Sequence, residues 1–202
     1  RPLSDALFKN SMEIRNMIEL YEFNKVLSIL GFKNVQIASI DALLTKMRMV
    51  VDIPLQFFDA TFIASKKHLL FATLSALTAF EQDYRISENL EVEILLYASG
   101  HRQISKAIKM IGLKQDTSEI AVVFLTATPE EAEKMEMKIS KTVPGVRDDS
   151  VLGLQEGKVE RLINAFDVTG REMEAVANDT ESPWESLVKI IIERSALLAT
   201  NR

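Results

Sequence analysis

One stretch near the middle of the chain, residues 91–112, constrains the fold more than any other. It opens with an apolar run rich in strand-forming residues, breaks at a short segment of small residues, and resumes with apolar residues at helical spacing. The positions that recur at i, i+3, i+4 and i+7 after the break are Ile104, Ala107, Ile108 and Ile111. The pattern therefore predicts a strand over residues 92–97, a tight turn, and a helix that buries one apolar face and ends at Gly112 in a left-handed cap.

The turn inside this stretch has the properties of an anion-binding loop. A strand that leads through Ser99 and Gly100 into a helix aims free backbone N–H groups at whatever lies above the turn. Arg102 follows directly, and a guanidinium group binds phosphate through two parallel hydrogen bonds. The same residues also fit an ordinary connection with a solvated basic face, so the motif alone leaves both interpretations open.

A second helix start, at Ser65, carries an unusual charge. Lys66 and Lys67 occupy its first predicted turn and His68 follows them. Cations at this end of a helix oppose the helix dipole, and a sequence often breaks a local rule at a functional site. The alternative interpretation is a pair of solvated lysines beside a half-buried histidine.

The composition removes several classes of chemistry. The 202 residues include no cysteine, which excludes disulfides, zinc–thiolate sites and thiol catalysis. The sequence has no phosphate-binding loop, dinucleotide fingerprint, nucleophile elbow or zinc-protease motif, and its two histidines are the main general-base candidates. A net charge of −5 disfavours nucleic-acid binding over the whole surface but allows a local basic patch. No apolar run approaches the roughly 20 residues of a membrane span, so we expect a cytoplasmic protein without a membrane partner.

Outside the central stretch, several segments have clear local signals. Residues 120–125 are continuously apolar and predict an interior strand. Thr128 and Ser182 each precede a proline and then a glutamate, which predicts two capped helices, the second of them at the C-terminal end. An apolar stripe between Ser11 and Gly31 predicts a helical extension over residues 1–34, followed by the main domain over residues 35–202.

The segments described above also carry a resemblance to a known family. The runs ATFIASKKHLLFATLSAL and EVEILLYASGHRQISKAIKMIG resemble those of archaeal-type members of the family that supplies the smallest subunit of the KEOPS complex, the TPRKB or PRPK-binding protein family. The apolar strand, the DDSVL segment, the KVERLINAF segment and the terminal ERSALLA segment match in the same order. The resemblance covers approximately residues 35–200.

The resemblance implies a fold and a function. The fold would be α+β, with a mixed sheet of about four to five strands covered by several helices in a single domain. The protein would be a non-catalytic subunit without a cofactor, which binds and stimulates the small atypical kinase-ATPase of the complex. It would also hold tRNA by its 3′ CCA end during synthesis of threonylcarbamoyladenosine.

Under this interpretation the oddities of the sequence become two predicted sites, with no catalytic residue and no metal ligand. The predicted RNA-binding residues are Lys66, Lys67, His68, Ser99, Gly100, Arg102 and Gln103. The lysines and Arg102 would meet phosphates, Ser99 and Gln103 would bind base edges, and His68 would stack on a base or hydrogen-bond to it.

The predicted kinase contact uses the surplus apolar surface of the terminal helix, whose consecutive isoleucines cannot all share one stripe. Its candidate residues are Ile191, Leu197 and Leu198. The alternative is that this helix is sandwiched within the fold.

Two other functions remain open at this point. One is an enzyme that acts on a phosphorylated small molecule through His68 and the turn at Ser99 and Gly100. The other is a scaffold that dimerises through the terminal helix.

Overall fold

The computed structural model describes residues 11–14, 17–177 and 182–198. These residues separate into two units, each with its own core. The first unit contains the described residues up to 59 together with residues 113–151, and the second contains residues 60–112 together with the described residues from 152 onward.

An antiparallel sheet forms the centre of the first unit. Its strands are β1 (Ser11–Ile14), β2 (Met17–Leu20), β3 (Lys25–Lys33), β4 (Leu55–Asp59), β5 (Ile120–Thr126) and β6 (Val146–Arg147). The strand order is β1-β2-β3-β5-β4, and β6 pairs with the end of β3. The predicted α+β class is confirmed. The sheet was predicted to be mixed, but all the described strand pairings are antiparallel.

Eight α-helices occur in the described part of the chain. They are α1 (Ile40–Val50), α2 (Lys66–Glu81), α3 (Leu90–Ser99), α4 (Ile104–Ile111), α5 (Pro129–Thr142), α6 (Glu156–Ala165), α7 (Gly170–Val176) and α8 (Pro183–Leu197). In the first unit, α1 and α5 pack with the sheet around a core that includes Phe32, Met47, Phe124 and Ile139. None of the described helices is long and apolar enough to cross a membrane.

The predicted N-terminal helix over residues 1–34 is wrong for the residues that the structure describes. Most of the apolar residues assigned to one helical stripe lie in strands β1, β2 and β3, and β3 pairs with β5 from Val26 to Phe32. Seven consecutive positions of β3, from Val26 to Phe32, are buried, because side chains on both faces of this strand are covered. Strands β2 and β3 therefore belong to the sheet of the first unit, and residues 17–33 do not form an appended α-helix.

The local signals at β5 and α5 are confirmed. All seven residues of β5 are buried, as expected of an interior strand. The Thr128 hydroxyl accepts a hydrogen bond from the Glu131 N–H at 3.2 Å, and Pro129 is the first helical residue. The capping interaction therefore fixes the start of α5 at the predicted position.

The carboxylates of residues 148 and 149 support the backbone where β3 meets β6. The Gly31 N–H donates to the Asp149 carboxylate at 2.8 Å, and Asp149 also pairs with Arg147. A hydrogen bond from Lys33 is the main reason that the pKa of Asp148 lies well below its usual range. A methyl group at Gly31 would lie 2.6 Å from the Asp148 carbonyl oxygen, so this close approach requires glycine.

The described part of the second unit contains helices and no strand, so the strand predicted over residues 92–97 is wrong. That segment belongs to α3, whose residues from Glu93 to Ser99 are all buried. A helix buried on every side has no polar face, so its sequence shows no helical period and resembles an interior strand. The buried Glu93 carboxylate accepts hydrogen bonds from the N–H groups of Ile86 and Ser87 at 2.7–3.1 Å.

Candidate functional site

The two predicted RNA-binding segments meet at the ring of His68, inside the second unit. Ser65 caps α2, and its hydroxyl accepts a hydrogen bond from the His68 N–H at 3.2 Å. The ring nitrogen Nδ1 accepts from the Ala64 N–H at 3.3 Å, and Nε2 lies 2.8 Å from the Ala98 carbonyl oxygen. Since a carbonyl oxygen only accepts, Nε2 carries the proton. The ring therefore ties the beginning of α2 to the end of α3.

The same geometry assigns His68 a structural role. The side chain is completely buried, and it forms a T-shaped pair with the Phe166 ring, with 5.6 Å between the centroids. Burial lowers the pKa of His68 to about 4, against the opposing effect of the bond to Ala98, so the ring is neutral at pH 7. The prediction that His68 contacts RNA directly does not agree with this position, because the ring has no exposed face and both of its nitrogens are bonded.

Ser99 and Gly100 form the end of α3, and both have structural roles there. The Ser99 hydroxyl donates to the Leu96 carbonyl oxygen at 3.0 Å and accepts from the His101 N–H at 3.2 Å. Ser99 is buried, so its predicted contact with a base edge does not agree with the structure. Gly100 adopts the left-handed conformation, with φ of 67°, and is the cap of α3. The left-handed cap predicted at Gly112 is wrong, because that residue is extended, with φ of −74°.

Arg102 and Gln103 follow this cap and are both exposed. The Arg102 guanidinium donates to the Leu198 carbonyl oxygen, at the C-terminal cap of α8, over 3.3 Å. Gln103 is the N-cap of α4 and makes no side-chain capping hydrogen bond there. Gln103, Ile104 and Ser105 are exposed, and the first N–H groups of a helix have no partner within that helix, so they can bind a ligand.

The segments that His68 joins contain only positive formal charge. Lys67 is exposed and Lys66 half-buried at the start of α2, which has no acidic residue in its first turn. The sequence contains no Asp or Glu between residues 60 and 80, and none between residues 94 and 115, in a chain with a net charge of −5. We call Lys66, Lys67 and Arg102, together with Lys106 and Lys109 of α4, the basic segments.

The three predicted kinase contacts differ in exposure. Ile191 is completely buried in the helical core with Ala64, Leu162 and Phe166, and Leu198 is also buried. Their predicted role as exposed contacts is therefore wrong for the protein alone. The side chain of Leu197 is 54% exposed and is the one candidate of the three that faces solvent. The exposed positions Glu185, Lys189, Glu193 and Leu197 recur one helical turn apart, so one side of α8 is covered, the other faces solvent, and the helix is not sandwiched.

Sequence reasoning missed two exposed residues of α4. Ile104 and Ile108 were expected to share a buried face with Ala107 and Ile111, but they are 44% and 49% exposed. Ala107 and Ile111 are completely buried. The apolar face of α4 is therefore wider than the surface that it covers, which the helical period of the sequence does not reveal. Among the residues described, no group of three acidic or histidine side chains is placed to hold a metal ion.

Comparisons with known proteins agree on one family. The chain matches the family described as kinase binding protein CGI-121 over residues 32–198. It is also similar to the regulatory protein Cgi121 of Methanocaldococcus jannaschii, with 36% identity over 115 residues, which are 57% of this chain and 71% of that protein. The family match begins at the end of β3, covers residues of both units and includes all the residues of the two predicted sites.

Proposed function

Because the chain belongs to the CGI-121 family of kinase-binding proteins, we propose that it is a regulatory subunit that binds a kinase and, through the basic segments, the single-stranded 3′ CCA end of tRNA. Membership of this family confirms the resemblance of the sequence. The kinase partner is the small atypical kinase-ATPase of the KEOPS complex, and the RNA is the substrate of threonylcarbamoyladenosine synthesis. The protein itself supplies binding surfaces and no catalytic group.

One observation carries the RNA half of the proposal: the ring of His68 holds together two segments that have cationic side chains and no carboxylate. Phosphate groups of a single strand bind Lys67 and Arg102, because both are exposed and positively charged. Base edges bind the Gln103 amide and the N–H groups at the start of α4. Ser99 and His68 position these groups from within the core and make no contact with the RNA.

A gel-shift measurement tests this half at one fixed salt concentration, because phosphate binding depends steeply on salt. The purified protein is compared on full-length tRNA and on the same tRNA without its CCA end, and tighter binding to the full-length molecule is expected. Lys67→Glu removes one phosphate contact and adds repulsion, so it weakens binding of the full-length tRNA about tenfold. Lys46→Glu, an exposed position on α1 in the first unit, is the control with the same change of net charge. Equal losses in both variants would exclude a local site.

The kinase half of the proposal uses the exposed end of α8. A Leu197→Glu variant places a charge at the one exposed candidate, so it lowers capture of the purified kinase. Met49→Glu, at an exposed apolar position on α1, is the control. Capture that is unchanged by Leu197→Glu would move the contact away from this end of the helix. Truncation after Arg194 is a poorer test because it also removes buried Ser195 and Leu198.

The position of His68 gives little support to the alternative function, an enzyme that uses this residue as a general base. A general base needs access to the proton that it removes, whereas the ring of His68 is buried and both nitrogens are bonded. Turnover of a phosphorylated small molecule that is lost in His68→Gln and needs no RNA would restore that alternative.

A further inference from the structure

We propose that the outer side of α1 and α5, in the first unit, is a docking surface for an acidic amphipathic segment of a partner protein. This surface shares no residue with those to which RNA binding and kinase binding are assigned above, all of which belong to the second unit. The inference therefore goes beyond the proposed function and does not rest on it.

Two exposed methionines carry the inference. Met49 and Met137 are 82% and 57% exposed, and they are the most exposed large apolar residues of those that the structure describes. Each lies two positions from a buried core residue of its own helix, Met47 on α1 and Ile139 on α5. Two positions correspond to about 200° around a helix, so both methionines point away from the sheet on which their helices pack.

The two helices present one surface. The Lys138 Nζ donates a hydrogen bond to the Val50 carbonyl oxygen at 3.3 Å, so the end of α1 lies beside the C-terminal half of α5. Met137 and Met49 each precede one of the two bonded residues in the sequence. Both methionines therefore lie close to this contact, on the outer side of the helix pair.

The formal charges around the methionines are positive. The sequence contains no Asp or Glu between residues 42 and 51, and none between residues 137 and 147, in a chain with a net charge of −5. Glu136, which borders the second stretch, pairs with Arg147. Cations near the C-terminal end of a helix complement its dipole, but this effect does not explain the exposed methionines beside them. We call the following exposed residues the methionine surface: Lys46, Arg48, Met49, Met137, Lys138 and Lys141.

Charge complementarity selects an acidic segment with apolar anchors as the occupant. Methionine side chains are unbranched and flexible, so they adapt to the apolar side chains of a bound helix. The cations of the methionine surface attract carboxylates that flank those anchors. The phosphate backbone of a nucleic acid would pair with the cations but would leave both methionines uncovered. The methionine surface therefore fits a protein segment better than RNA.

The test measures the fluorescence anisotropy of two labelled synthetic peptides with the full chain. One peptide has leucines at i, i+3, i+4 and i+7 among glutamates, and the other has serines in place of the leucines. The wild type should bind the leucine peptide more tightly, and Met49→Ser combined with Met137→Ser should weaken this binding about tenfold because apolar contact area is lost. Lys46→Glu combined with Lys141→Glu should weaken it further at low salt than at high salt.

The matched control is Tyr21→Ser combined with Val146→Ser, two exposed apolar positions of the same unit that lie outside α1 and α5. It should keep wild-type binding of the leucine peptide, and far-ultraviolet circular dichroism verifies that all the variants keep their helices. Equal binding of both peptides, binding of neither, or equal losses in the methionine and control variants would overturn the proposal. Lower kinase capture by the methionine variant would assign the surface to the kinase, and weaker binding of tRNA by the lysine variant would assign it to RNA. Either result would also overturn the proposal.

Discussion

Replacement of His68 by glutamine tests whether this buried ring holds the two halves of the site together. In the wild type Nδ1 accepts from Ala64 and Nε2 donates to Ala98. A glutamine amide reaches the carbonyl as a donor but leaves the Ala64 N–H without its acceptor. An unsatisfied buried group costs about 1–3 kcal/mol, so we expect the free energy of unfolding to fall by about 2 kcal/mol at pH 7.5.

The pH dependence gives a sharper expectation. The pKa of His68 is about 4 in the folded protein and has an ordinary value of 6.5, so the unfolded chain binds the proton more tightly. The stabilisation from a neutral His68 is therefore complete above pH 6.5 and is lost as the pH falls from 6.5 towards 4. Between pH 7.5 and pH 5 this linkage removes about 2 kcal/mol from the wild type and nothing from His68→Gln. The two proteins should become about equally stable near pH 5.

Urea unfolding followed by the fluorescence of Trp184, the one tryptophan, measures both quantities in the helical unit. His101→Gln is the matched control because it removes the other histidine, which is half-buried. The pKa of His101 is lowered mainly by partial burial and, to a lesser extent, by the positive charge of Lys106. Replacement of His101 should therefore remove a smaller part of the pH dependence of stability than replacement of His68. If His68→Gln keeps the whole pH dependence of the wild type, the assignment of a buried neutral ring is refuted.

Two further substitutions test the backbone supports of the fold. Gly31→Ala places a methyl group 2.6 Å from the Asp148 carbonyl oxygen, so it should lower the free energy of unfolding by about 1–3 kcal/mol. Gly157→Ala is the control, because its added carbon meets nothing within 4 Å, and it should not destabilise the protein. Glu93→Gln replaces one oxygen of the buried carboxylate, which accepts N–H bonds, by an NH₂ group, which only donates, so it should lower the free energy of unfolding by about 1–3 kcal/mol. Glu91→Gln in the same helix is the control and should lower it much less. Urea unfolding measures all four, and Gly31→Ala or Glu93→Gln variants with wild-type stability would contradict these contacts.

Local signals predicted those parts of the fold that local interactions determine. Thr128 and Pro129 mark the start of α5 because a hydroxyl cap and a proline act within one turn. The run that forms β5 is short and wholly apolar, and an interior strand is the common fate of such a run.

Tertiary burial explains the elements that the sequence predicted wrongly. The segment from Glu93 to Ser99 is covered on all sides, so its hydrophobic period, the main signal of a helix, is absent. The apolar residues of β3 are covered on both faces, so their spacing fits a helical stripe as well as a strand. In both cases the deciding information is which neighbours cover the segment, and that information is not local.

The candidate site divides in the same way. Lys66 and Lys67 were found because their charge opposes the dipole of α2, which is a local property. The internal bonding of Ser99 and His68, and the exposure of Ile104, depend on how helices pack, so residue type and spacing could not predict them.

The hydrogen bond from Arg102 to the Leu198 carbonyl has a consequence for genetics. One guanidinium lies at the proposed RNA site and also holds the end of α8, beside the exposed Leu197. An allele that replaces Arg102 will therefore be pleiotropic, with defects in RNA binding and at the end of α8 that cannot be assigned separately. Alleles of Lys67 and Leu197 change exposed side chains on different helices, so these two positions are the ones at which separation-of-function mutants should be sought.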